Sequence, residues 1–165
     1  EDDSPEFLAC DKNSNLYLLD SKTVYKVTPS GEKTEFGSVS FSICTECKVG
    51  PEGYVYFARK NNKIYRIPPS GGEAEEWASA SERVYAFDFD QNGNCVTAGK
   101  SDLIVSVDKN GNSTEIGQLP GYQVASMRIF NNQLYVLAND NETNQQVLLK
   151  GSYSNGSVGT MEIYM

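Results

Sequence analysis

An all-β fold of four similar antiparallel sheets, packed side by side around a common axis, is predicted by three features of this 165-residue sequence. The first is a repeat. NSNLYLLDSKTVYKVTPSGEKTEF, from Asn13 to Phe36, comes back as YVYFARKNNKIYRIPPSGGEAEEW, from Tyr54 to Trp77. Tyr17 aligns with Tyr56, 39 residues later, while Tyr25 aligns with Tyr65 and Pro29 with Pro69, each 40 residues later. A period near 40 residues is the length of one small sheet in a repeat architecture and outranks any local reading. The second feature is the middle strand of each unit: Leu16-Tyr17-Leu18-Leu19, Tyr54-Val55-Tyr56-Phe57 and Leu134-Tyr135-Val136-Leu137 are apolar at every position. A strand with one wet face alternates, so continuous apolarity calls for cover on both faces. The third is the polar, short last strand of each unit, as in GEKTEF and GNSTEI, which suits a protected outer edge. No segment sustains a period of 3.6, so no helix is expected.

The elements follow in order. In the first unit, strands are expected at 7–10, 16–19, 23–27 and 33–36, joined by tight polar turns. Thr28-Pro29-Ser30-Gly31 is one of these: Pro sets φ and Gly accepts φ > 0. The second unit places strands at 42–49, 54–59, 63–67 and 74–77. The third places them at 84–89, 95–98, 103–107 and 113–116, with Asp108-Lys109-Asn110-Gly111-Asn112 in place of the Pro-Ser-Gly turn. The fourth places them at 125–130, 134–138, 146–150 and 159–164. The units span about 7–40, 41–80, 81–121 and 122–165, and the polar stretch 1–6 reads as an acidic leader, frayed and trimmed in the manner of a mature N-terminus. Sheets covered on both faces by like neighbours, with a polar rim, are the blades of a β-propeller.

Composition narrows the function classes. The net charge is −8 and the 14 basic residues are scattered, which argues against nucleic acid and against an anionic membrane surface. No apolar run approaches the roughly 18 residues that span a bilayer. The four cysteines, Cys10, Cys44, Cys47 and Cys95, are too few for a disulfide scaffold. Acceptor sequences for N-glycans occur at Asn112, Asn141 and Asn155 and carry little weight in an Asn-rich chain.

The units resemble β-propeller blades of the NHL, SMP-30 and virginiamycin-lyase-like kind. The likeness rests on the turn Asp90-Gln91-Asn92-Gly93-Asn94 and on Ile64-Tyr65-Arg66-Ile67-Pro68-Pro69-Ser70-Gly71, with its counterpart Val24-Tyr25-Lys26-Val27-Thr28-Pro29-Ser30-Gly31. The last unit, from Ser126-Met127-Arg128-Ile129-Phe130 to Gly159-Thr160-Met161-Glu162-Ile163-Tyr164, is similar to blades of bacterial secreted or envelope proteins of unassigned function. The resemblance implies a secreted, periplasmic or cell-surface location. It also implies a ring of about six to eight blades, of which four are half. A second copy or another chain is therefore expected to complete the ring; a closed four-bladed ring and a piece of a longer polypeptide are the alternatives. The lyase-like relatives act through a histidine, and this chain has none, so that activity is not carried over. The lack of histidine also removes Ser-His-Asp and Cys-His catalysis.

Three candidate sites remain. Asp88, Asp90, Asn92 and Asn94 match the front half of a calcium loop, D-x-D-x-N-G, but residue 99, where the loop's closing Glu belongs, is Gly. A hairpin turn with Asn and Gly in left-handed positions is the competing reading of the same residues, so Ca2+ is the one cofactor considered. Cys44 and Cys47 have CxxC spacing with no second knuckle or histidine to complete a zinc site; buried thiols, or a disulfide between Cys10 and Cys47 on neighbouring inner strands, are expected instead. Trp77, on an outer strand, is the candidate for an exposed contact, or caps a blade. Glu46, Asp88, Asp90 and Arg128 fall on or near inner strands, where SMP-30-type propellers hold a divalent metal with Glu, Asn and Asp. The recurring Tyr17, Tyr25, Tyr56, Tyr65 and Tyr135 belong between blades rather than on a sugar platform. The function expected is a non-enzymatic extracellular or envelope scaffold that presents loops for protein or glycan contact. The alternative is a fragment of a metal-dependent, SMP-30-like lactonase or hydrolase.

Overall fold

The computed structural model describes residues 7–41, 44–59, 61–80, 82–154 and 156–165. The leader 1–6 and Asn155 lie outside the described residues, as do positions 42–43 of the strand expected at 42–49. Every described regular element is a strand. Blade one comprises β1 (Phe7–Cys10), β2 (Leu16–Asp20), β3 (Thr23–Val27) and β4 (Lys33–Ser38). Blade two comprises β5 (Glu46–Val49), β6 (Val55–Ala58), β7 (Lys63–Ile67) and β9 (Glu75–Ser79). Between the last two lies β8 (Gly72–Glu73), which pairs in parallel with β4 and ties the rim of blade two to blade one. Blade three is β10 (Val84–Phe89), β11 (Cys95–Gly99), β12 (Leu103–Val107) and β13 (Ser113–Gln118). Blade four is β14 (Tyr122–Phe130), β15 (Gln133–Asp140) and β16 (Gln146–Ser154), edged by the short β17 (Ser157–Val158) and β18 (Glu162–Ile163). Each sheet is an antiparallel meander, with strands hydrogen-bonded in chain order.

The turns are encoded locally. Gly31, Gly53, Gly93 and Gly111 all adopt φ near +85°, the left-handed conformation that costs a residue without Cβ nothing. The strands stay paired because their alternate residues meet a neighbouring sheet. Three apolar clusters result, one at each seam. Tyr17, Leu19 and Val24 pack on Val55 and Phe57 between blades one and two. Tyr56 and Ile64 pack on Phe87 and Val105 between blades two and three. Val96 and Ile104 pack on Met127, Leu134 and Leu149 between blades three and four. Among the described residues no apolar cluster joins blade four to blade one.

That open seam alters one expectation. β6 and β11 are buried at every residue, as double-sided cover requires. β2 and β15 are just as apolar, yet their exposure alternates. Their second faces belong to the first and last blades and meet no partner sheet among the described residues.

Candidate functional site

The first strand of each blade, β1, β5, β10 and β14, lines the axis, and these strands gather the charged side chains. Alternation along β5 turns Cys47 towards blade one and leaves Glu46 and Lys48 on the opposite face, towards blade three. Asp88 comes from β10 and Arg128 from β14. Lys48 Nζ lies 3.9 Å from Glu46 and 3.8 Å from Asp88, and Arg128 reaches Glu46 at 3.7 Å. Lys48, Glu46 and Asp88 are each largely buried, whereas the Arg128 head is open to solvent. Asp88 has a second duty: its Oδ2 accepts the backbone N–H of Ile129 at 2.8 Å, which pins blade three to blade four. The four side chains, with Leu8 and Cys10 of β1, line a cleft of about 280 Å³.

Burial sets the electrostatics of this cleft. Desolvation pushes the Glu46 carboxyl above its ordinary range, against the pull of Lys48 and Arg128. Desolvation likewise pulls the Lys48 ammonium below its ordinary value, against Glu46 and Asp88. An acid that holds its proton longer beside a cation that gives its proton up sooner is a polar socket that can exchange hydrogen bonds with a hydroxylated or amide-bearing ligand. Glu46, Asp88 and Arg128 were each identifiable as inner-strand residues. Lys48 was missed, although the alternation Glu46-x-Lys48 on one strand was the available signal.

The residues of the calcium-like loop do not meet at one point. Asp90 Oδ1 accepts the N–H groups of Asn92 and Asn94 at 2.9 and 2.8 Å, and Oδ2 accepts Asn94 Nδ2 at 3.0 Å and the Tyr153 hydroxyl at 2.8 Å. Asp88 faces Lys48 and Ile129 instead. Among the described residues no three acidic or cysteine side chains form a metal-binding group. The loop is an Asp-capped turn, and the same hydrogen bonds occur twice more. Asp11 accepts from Asn13 N, Asn15 N and Asn15 Nδ2 at 2.9, 2.9 and 2.8 Å. Asp108 accepts from Asn110 N, Asn112 N and Asn112 Nδ2 at 2.8, 2.9 and 2.9 Å. The pattern D-x-N-x-N thus specifies a self-capped loop, with one carboxylate satisfying two backbone donors and one amide. The Tyr153–Asp90 contact between blades was not foreseen, because it joins residues 63 positions apart.

The remaining candidates are placed as follows. All four cysteines are free, so the Cys10–Cys47 bridge is not made. Ala9 is the β1 residue that shares the seam with Cys47, and strand alternation turns its neighbour Cys10 outward. Burial pushes the Cys44 thiol up to about 12, and those of Cys47 and Cys95 well above the usual thiol value. Trp77 is half-buried rather than free. Its ring meets Tyr56 edge-on with centroids 5.0 Å apart, and its Nε1 donates to the Lys109 carbonyl at 3.4 Å, closing the outer end of the second seam. Tyr17 and Tyr56 are buried between blades, while Tyr25, Tyr65 and Tyr135 are half-buried. Asn112 is held in its capped loop and Asn141 is exposed.

No protein-family model matches the sequence, and neither does any curated protein. Solved structures do match by shape. The extracellular domain of the hybrid two-component system BT4673 from B. thetaiotaomicron aligns over 97% of this chain and 23% of its own, with 15% identity and a TM-score of 0.63. A nidogen/laminin complex aligns over 96% and 63%, with 14% identity and a TM-score of 0.72. The gluconolactonase XC5397 from Xanthomonas campestris aligns over 96% and 61%, with 9% identity and a TM-score of 0.70. The chain therefore spans from 23% to 63% of the length of these neighbours. At such identities the likeness concerns the fold, and the extracellular setting of the first is that protein's own. With the sheet order, the seams and these alignments together, the chain is a run of four β-propeller blades forming part of a ring.

Proposed function

We propose that this chain is a non-enzymatic scaffold of an extracellular or cell-envelope propeller, presenting loops and the axial cleft to a protein or glycan ligand. The supporting observation is the state of its acids. Both Asp90 oxygens and Asp88 Oδ2 accept N–H or O–H donors, while Glu46 and Asp88 Oδ1 face protein cations at 3.7–3.9 Å. Such acids position backbone and side chains; a metal or a reacting water would have to displace those partners first. The loops fit the role too. Asp11, Asp90 and Asp108 fix the loop backbones from within, leaving exposed Lys12, Asn13, Gln91, Lys109 and Asn110 on a preorganised frame. The extracellular domain among the structural neighbours supports the location.

A second reading, a fragment of a metal-dependent lactonase or hydrolase of the SMP-30 kind, draws on the gluconolactonase likeness and on the raised Glu46 carboxyl in the axial cleft. One experiment separates the two. The chain is assayed for hydrolysis of glucono-1,5-lactone with Ca2+, Mg2+, Mn2+ or Zn2+, and is applied in parallel to a glycan microarray and a library of extracellular-matrix peptides. The scaffold reading expects no metal-dependent turnover and saturable binding that Glu46→Gln or Lys12→Glu weakens. Lactone hydrolysis that needs a divalent ion and disappears in Glu46→Gln overturns it.

A further inference from the structure

We infer that blades one and four carry the two halves of a further seam of the same kind, made with a second copy of this chain, so that two copies close one eight-bladed ring. The argument rests on positional equivalence. Within the chain the same seam forms three times. Each time one blade presents the face carried by the row Cys47, Phe57, Tyr65 in blade two, Phe87, Thr97, Val105 in blade three, and Met127, Val136, Leu149 in blade four. In blades three and four all these side chains are buried by the preceding blade, as are Cys47 and Phe57 in blade two. The matching row of blade one is Leu8, Leu18, Tyr25. It is as apolar as the others, yet Leu8 is 60% exposed. Cys10 and Leu16, one rung along, are exposed as well, where Val55 of blade two is fully covered.

The opposite kind of face is free at the other end. Leu19, Ala58 and Ala98 are equivalent residues of the middle strands of blades one to three, and each is buried against the following blade. Their counterpart in blade four is Leu137, which is 38% exposed. Tyr135 stands where Tyr56 stands in blade two, and Tyr56 packs across its seam on Phe89 at 4.8 Å. In blade one the position of Phe89 is taken by Cys10. Among the described residues the chain therefore carries one face of each kind without a partner sheet, and the two are the complementary halves of a seam it already builds three times. A second copy related by a two-fold along the axis offers both missing halves at once. The two new seams are then identical and head-to-tail, and the ring has no free edge. The cleft lies beside the same closure, since its lining includes Leu8 and Cys10 of blade one and Arg128 of blade four. A wall of this length of apolar side chains on a monomer marks an interface.

Light scattering and native mass spectrometry of the 165-residue chain at tens of micromolar test this. The expected mass is twice 18.2 kDa. Leu18→Arg and Leu137→Arg, on opposite faces, should each give a monomer with an unchanged far-ultraviolet spectrum. Mixed in equal amounts, they should recover the dimer mass, because one seam of the mixed pair is wild type. Cys10, buried by the new seam, should react with a thiol reagent at least tenfold more slowly in the wild type than in Leu18→Arg. A wild-type monomer overturns the inference. So does a dimer that survives Leu137→Arg but not Leu18→Arg, which would mean like faces pairing. Occupation of the faces by a different protein would leave the purified chain monomeric and counts against the inference in the same way.

Discussion

Asp90 offers the sharpest test of how these blades are held. Its carboxylate is almost fully buried and accepts four hydrogen bonds, three from its own loop and one from Tyr153 in the next blade. Asp108 makes the same three loop contacts on the surface and lacks the inter-blade partner. The pair separates loop capping from blade clipping. Asp108→Ala removes only a solvated loop cap and should cost least of the three. Tyr153→Phe keeps the ring and deletes one donor to a buried charge, at roughly 2 kcal/mol. Asp90→Ala loses cap and clip together, at about 3 kcal/mol. Urea unfolding at one fixed protein concentration measures all three, and a cycle with the double variant should return a coupling of about 1.5 kcal/mol between Asp90 and Tyr153. Fixed concentration matters because association would add to the apparent stability. The reasoning fails if Asp90→Ala costs no more than Asp108→Ala, or if the coupling is within error of zero. It also fails if millimolar calcium raises the melting temperature of the wild type and not of Asp90→Ala, because the oxygens would then have been available to a metal.

Three further outcomes are expected. Cys44, Cys47 and Cys95 are buried and their thiols are pushed up, so a colorimetric thiol reagent at mildly alkaline pH should leave them unmodified in the folded chain and titrate all four cysteines in guanidinium. A Cβ at Gly99 would collide with the Arg83 carbonyl at the irregular pairing of β10 and β11; Gly99→Ala should therefore destabilise by about 2–3 kcal/mol in urea. The carboxyls of Asp108 and Asp140 are held below 3.8 by hydrogen bonds from Asn112 and from the Thr143 and Glu142 amides, and the loop donors of Asp11 outweigh its own desolvation to the same effect. Because these are depressed acids, the stability they add is complete above their ordinary value and is lost as pH falls through their folded values. An Asp11→Asn, Asp108→Asn, Asp140→Asn triple variant should therefore show a shallower fall of melting temperature than the wild type as pH drops below the ordinary carboxylate value.

Much of this architecture was legible in the chain because repetition makes local signals mutually reinforcing. The spacing of Tyr17 to Tyr56 and Tyr25 to Tyr65 sets blade length. The Pro-Ser-Gly and Asp-x-Asn turns mark where strands reverse, and the polar tails mark the rim. Each of these depends on a few adjacent residues and their backbone preferences. The site was only half legible. Glu46 and Lys48 share a strand and could be paired by alternation, whereas their contacts with Asp88 and Arg128 cross two blades. The calcium-like spelling of residues 88–94 shows the same limit: the spacing of oxygens is visible in sequence, but the donors that occupy them are not.

The repeat, the reversal points and the apolar content of every middle strand follow from the sequence by itself, since they depend on composition and short-range geometry. Which of those apolar faces is buried was decided only in three dimensions. Leu18 and Phe57 occupy equivalent positions and carry the same expectation. One is half-buried and the other is sealed, because burial belongs to the neighbour a face meets, and the outer faces of the terminal blades meet none among the described residues.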